Sequence, residues 1–183
     1  MAFQTSSPAD RGGGGGGFTG QFGGPIAAVL TFFWLTFAFF GFVLALAGLS
    51  ALQNYIYKDD NVTGPDGWAV PSNYPELSDG QILRLDWFIL FFQFVTVCVV
   101  AIVISLGAVP QARGTILSFL TAAAVLSIIS TDRIYNISHN VHGRDYSAAR
   151  SAFAGYIVSA ASDLALVYHL GIIPQPRGQS SQA

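Results

Sequence analysis

PIAAVLTFFWLTFAFFGFVLALAGLSAL, residues Pro25 to Leu52, holds no charged side chain, and the next charge along the chain is Lys58. A helix needs about 20 apolar residues to cross a bilayer core of roughly 30 Å, and this run exceeds that length. In water it would expose Phe, Leu and Val all the way round, so the sequence places it in lipid. Ala38, Gly41, Ala45 and Gly48 recur in steps of three, four and three, which puts them on one helix face. Between helices in lipid, close backbone approach over small residues is a main source of association. Two partners are open to that face: this chain's own helices, or another subunit.

The remainder of the chain agrees in class. Its 183 residues are 52% hydrophobic and 10% charged, against about 25% charged in soluble domains. Mean hydropathy is +0.51. Net charge is −2 with no basic run, which excludes nucleic acid as an expected partner. Cys98 is the only cysteine, so there is no intrachain disulfide. Ala2 stands where myristoylation requires glycine, and no basic segment precedes a short apolar core as in a cleavable signal.

Working outward, residues 1–24 carry GGGGGG at 12–17 and more glycine at 20, 23 and 24. Too little apolar surface is available there to offset backbone entropy, so a flexible tail is expected. A phosphate-binding loop is excluded, since neither a preceding strand nor Gly-Lys-Ser/Thr is present. Residues 53–84 form the main loop, acidic through Asp59, Asp60, Asp66, Glu76 and Asp79 and punctuated by Gly64-Pro65, Asp66-Gly67 and Pro71. The calcium-loop spacing is absent from it. A second span is expected at about 85–109, then a tight turn at Pro110 to Gly114 and a third span at about 115–135. The polar stretch Asn136 to Ala149 leads to a fourth span at 150–173, ended by Pro174 and Pro176, with a flexible tail over 174–183. The expected fold is all-α: an integral membrane four-helix antiparallel bundle over residues 25–173 with a disordered Gly-rich N-terminal tail.

An even number of spans puts both termini on one side. Lys58, Arg84, Arg133, Arg144 and Arg150 lie on the loop side, which a plain count of positive charge would make cytoplasmic. Asn61-Val-Thr and Asn136-Ile-Ser are glycosylation sequons on that same side and argue the reverse, so cytoplasmic termini are expected. The sequence leaves open which membrane holds the protein.

Three constellations invite chemistry. The fourth span carries Ser151, Gly155, Ser159 and Asp163 at four-residue spacing, a small and polar stripe. Within lipid a carboxyl such as Asp163 is costly and marks either function or pairing. Antiparallel register sets it opposite Ser118 and Thr121 of the third span, and Gln93 is a further polar group inside the second. Arg84, Asp86, Asp132, Arg133 and Arg150 gather at one membrane surface as a prospective ring of ion pairs. His139 and His142 have helical-turn spacing, but a metal would need further ligands from elsewhere, and His169 lies at the opposite end of the fourth span. No catalytic motif, metal site or cofactor signature is found, and the chain does not read as an enzyme.

Four spans, a longer first loop with Trp68 and a small-residue first helix resemble the MARVEL-type tetraspans, including the Casparian-strip-like membrane proteins of plants and algae. The resemblance covers about Pro25 to Ile173 and is architectural. Members of that plant group carry an Arg in the first span and an Asp in the third; here the first span has no Arg, and Asp132 stands at the last turn of the third. The resemblance implies lateral assembly and membrane-domain scaffolding. The expected role is a structural tetraspan, a homo-oligomer or an accessory subunit of a larger membrane complex, with the lipid bilayer as its partner. The rival class is a small channel or transporter built on Asp163.

Overall fold

A computed structural model of the chain describes residues 25–58, 83–140 and 144–172, with side chains for 25–54, 83–138 and 146–172. The Gly-rich segment, most of the acidic first loop with Asn61, the side chains of His139 and His142, and the C-terminal tail lie outside the described residues. Four helices account for nearly all the rest: α1 (Pro25–Lys58), α2 (Arg84–Ser105), α3 (Val109–Asn140) and α4 (Arg144–Ile172). Each contains a stretch long and apolar enough to cross a membrane, the shortest being the 22 residues of α2. At 1.5 Å per residue those 22 span about 33 Å.

The α2–α3 connection differs from the expected turn at Pro110 to Gly114. The chain reverses at Leu106-Gly107-Ala108, where Gly107 takes φ 70°. Its N–H bonds the carbonyl of Ile104 at 3.1 Å, and that of Ala108 reaches back to Val103 at 3.1 Å. This paired capping uses a left-handed residue just past the helix end, where glycine alone carries no Cβ penalty. Pro110 then falls in the first turn of α3, where its missing N–H has no helical partner to lose. At its other end α3 runs to Asn140, so Asn136 is helical, its amide 3.5 Å from Asp132 of the preceding turn.

In the bundle α1 packs against α4 most extensively and α4 against α3, while α2 bridges α3 and α1. Neighbours are antiparallel, and the two diagonals, including α2 with α4, run parallel. Buried apolar side chains divide into two clusters along the axis. One joins Phe42, Leu49, Leu52, Ile89, Leu90, Ile134 and Tyr156 toward the loop end. The other joins Leu35, Val97, Ile104, Ile116, Leu120 and Leu166 toward the terminal end. The exterior is bulky and apolar, with Phe40 and Phe88 each 59% exposed.

Small residues decide which helices meet. The expected face of α1 is buried through Ala38, Gly41, Ala45 and Gly48, and its partner is α4 of the same chain. A Cβ on Gly41 would come 2.6 Å from Ser159 Oγ, one on Gly48 2.7 Å from Ala152 Cα, and one on Gly155 2.7 Å from Ala45 Cα. The seam of α1 is thus internal, filled by Ala152, Gly155 and Ser159. Ser151, the remaining member of the expected α4 stripe, is half-buried and bonds its own helix at Ser147 O, 3.0 Å.

Candidate functional site

Among the buried polar groups, two layers tie α2 to α4 across the diagonal. In the first, Asp86 is fully buried. Ser130 of α3 donates to its Oδ1 at 2.8 Å, and Arg133 places a guanidinium nitrogen 3.6 Å from its Oδ2. Tyr156 of α4, 1% exposed, donates its hydroxyl to the backbone carbonyl of Asp86 at 2.8 Å. A buried phenol needs such a partner, because its unpaired O–H would keep the full desolvation cost.

The second layer sits one heptad further along both helices. Gln93 of α2 donates Nε2–H to Asp163 Oδ1 at 3.0 Å, with both side chains buried. The pairs 86–156 and 93–163 keep one register because α2 and α4 run parallel and seven residues return a helix to nearly the same face. Ser118 and Thr121, the partners expected for Asp163, instead bond carbonyls of their own helix at Gly114 and Leu117. Thr96 and Ser162 do the same at Phe92 and Val158. Four buried atoms near this layer have no hydrogen-bond partner: Asp163 Oδ2, Gln93 Oε1, Ser127 Oγ and Ser159 Oγ.

The expected surface ring is resolved differently. Asp86 and Arg133 form the ion pair, but inside the bundle rather than at its rim. Asp132 is exposed beside Asn136, Arg84 is exposed, and Arg150 lies over the ring of Tyr146 at 5.0 Å. Sequence reasoning missed Ser130 and Tyr156. Their signal was positional: one lies three residues before Arg133, the other seven before Asp163. At the terminal end His169 Nε2 donates to Ala27 O at 2.9 Å, and Arg113 donates to the carbonyl of Gly171. Trp87 donates to Gln53 at the loop end. Among the described residues no group of three or more His, Cys, Asp or Glu comes together as a metal site.

One outward feature stands apart from the bulky exterior. On α3, Leu117, Ser118, Thr121, Ala122, Val125 and Leu126 line an open groove of about 660 Å³. Ser118 and Ala122 of this lining continue the four-residue spacing from Gly114, all three are exposed, and a Cβ on Gly114 would meet nothing within 4 Å. Of Ala122, Ala123, Ala124 and Ser127, the last three are buried in the bundle and Ala122 faces out.

Over the described residues, fold and site together define an all-helical bundle with four candidate membrane spans and a paired polar interior. No known family model, curated protein or solved structure matches the chain.

Proposed function

We propose that the four helices cross a lipid bilayer, with both termini cytoplasmic, and that the bundle is a non-catalytic structural tetraspan associating laterally with itself or within a larger membrane complex. The observation that carries this reading is the outer face of α3. Mid-helix glycine costs about 1 kcal/mol relative to alanine, and Gly114 serves neither a turn nor an internal contact. A groove flanked by Gly114, Ser118 and Ala122 lets another helix approach closely in lipid, which the Phe-rich exterior elsewhere does not. Lateral assembly is also what the architectural resemblance to MARVEL-type tetraspans implies. The small-residue stripes of α1 and α4 give no such support, being consumed against each other.

The test is to replace Gly114 and Ala122 together with leucine. We expect the detergent-solubilised particle to fall in mass to a single chain, with helix content and Tm close to wild type. A wild type that is already a single chain, both in mild detergent and on native gels of whole membranes, would refute lateral assembly.

The rival reading, a channel or transporter, needs a polar path through Asp163. That layer lies between the two apolar clusters, and its carboxyl is bonded to Gln93. Wild type and Asp163→Asn, reconstituted in liposomes, are both expected to pass no protons or cations. Flux in wild type that vanishes in the asparagine variant would replace the scaffold reading with the transporter one.

A further inference from the structure

Asp163 and Gln93 each present two polar atoms, and the structure pairs one of each. Gln93 Nε2–H donates to Asp163 Oδ1 at 3.0 Å, while Asp163 Oδ2 and Gln93 Oε1 are buried without a partner. In a carboxylate both leftover atoms are acceptors, so they can only repel one another. A proton on Oδ2 turns that oxygen into a donor, and a bond from it to the amide oxygen, closing the ring begun by the 3.0 Å bond, would satisfy two orphaned atoms with one change. The surroundings favour the same state. Asp163 is the only Asp, Glu, Lys, Arg or His in residues 25–54, 87–105, 114–131 and 151–168, the parts of all four helices that surround it. An ionised carboxyl without a countercharge is among the costliest groups to bury, whereas a neutral acid with both hydrogen bonds made is not.

We infer that Asp163 is a proton-binding site: its carboxyl holds a proton on Oδ2 and donates it to Gln93 Oε1, closing a two-bond acid–amide pair between α2 and α4. The proton is taken from water as the bundle assembles, and no other group changes. The inference does not depend on lateral assembly, because every atom in it belongs to one chain. It also separates the two polar layers by charge: Asp86 has a cation beside it and Asp163 has an amide.

Infrared spectroscopy of the full-length protein in lipid tests this at neutral pH. A carbonyl-stretch band of a protonated carboxylic acid is expected above the amide band, shifted in deuterium oxide and absent from Asp163→Asn. Labelling wild type with aspartate carrying carbon-13 in its side-chain carboxyl must move the same band, a check that needs no folded variant. In Gln93→Leu the band should persist and rise in frequency as the carboxyl loses its amide partner. Asparagine can form the same pair as two amides, so Asp163→Asn should melt close to wild type. Loss of carboxylate bands instead of an acid band in Asp163→Asn would overturn the inference. So would a Tm that rises with sodium in wild type but not in the asparagine variant, since a cation would then occupy the site.

Discussion

Gly48→Leu is expected to abolish the folded bundle altogether, with loss of cooperative thermal unfolding and aggregation after extraction in mild detergent. The reason is the backbone of α4. A single methyl on Gly48 already lies 2.7 Å from Ala152 Cα and 2.8 Å from the carbonyl of Ala148, and neither can move as a side-chain tip can. Overpacking a core usually costs about 1–3 kcal/mol. Forcing two helices apart along their main contact adds the dispersion and burial lost on either side, so even Gly48→Ala should fall at or beyond the top of that range. Gly155→Ala should match it, since its methyl meets Ala45 from the opposite helix. Gly171→Ala serves as the control, with nothing within 4 Å of the added carbon and a near-neutral effect expected. Circular dichroism melts of the four variants in one detergent check the order. A Gly48→Leu protein that melts like wild type but loses particle mass would place the seam between subunits and refute the internal packing.

That seam shows where sequence reading succeeds and where it stops. Steps of three and four among small residues give a helix face, because the period of the α-helix is fixed; they say nothing of the facing helix. The candidates were any other helix of this chain or a helix of another subunit, and only the register of Gly41 on Ser159 and Gly155 on Ala45 settles it. The existence of the four helices was legible from run length alone. Their ends were less so. At the α2–α3 turn the sole marker is Gly107 inside Leu-Gly-Ala, whereas the conspicuous Pro110 and Gly114 belong to the helix that follows.

The polar interior was half legible. Asp163 stood out because a carboxyl in an apolar run is costly, but its partner was sought on the sequence-adjacent antiparallel helix. The bond comes from Gln93 across the diagonal, a relation that depends on the packing of all four helices. Asp86 was read as a rim residue because it lies in the first turn of α2 next to Arg84. In the bundle α3 extends past that level and covers it, so the same carboxyl is fully buried.

Burial makes Asp86 the source of the second large effect, and the size of the loss depends on which partner is removed. Arg133 is 31% exposed, so its guanidinium can still reach water, whereas Asp86 is enclosed and has no such recourse. Arg133→Leu therefore leaves a buried carboxylate with no countercharge beside it. Stripping one partner from a buried pair costs about 3–5 kcal/mol, and the partial exposure of Arg133 sets the expectation at the lower end, about 3 kcal/mol. Asp86→Asn keeps an acceptor for Ser130, and the half-buried Arg133 guanidinium still reaches water, so it should cost about 1 kcal/mol or less. The double variant Asp86→Asn/Arg133→Leu removes the charge that Arg133→Leu strands and should recover most of the loss. Tyr156→Phe, which removes one bond to a carbonyl that α2 itself still engages, belongs near 1 kcal/mol or below. Unfolding of these variants in one detergent series, followed by helix content, gives the cycle. If the double variant loses the sum of the two single losses, Asp86 and Arg133 are not coupled, and the ion pair at 3.6 Å contributes nothing to holding α2 against α3.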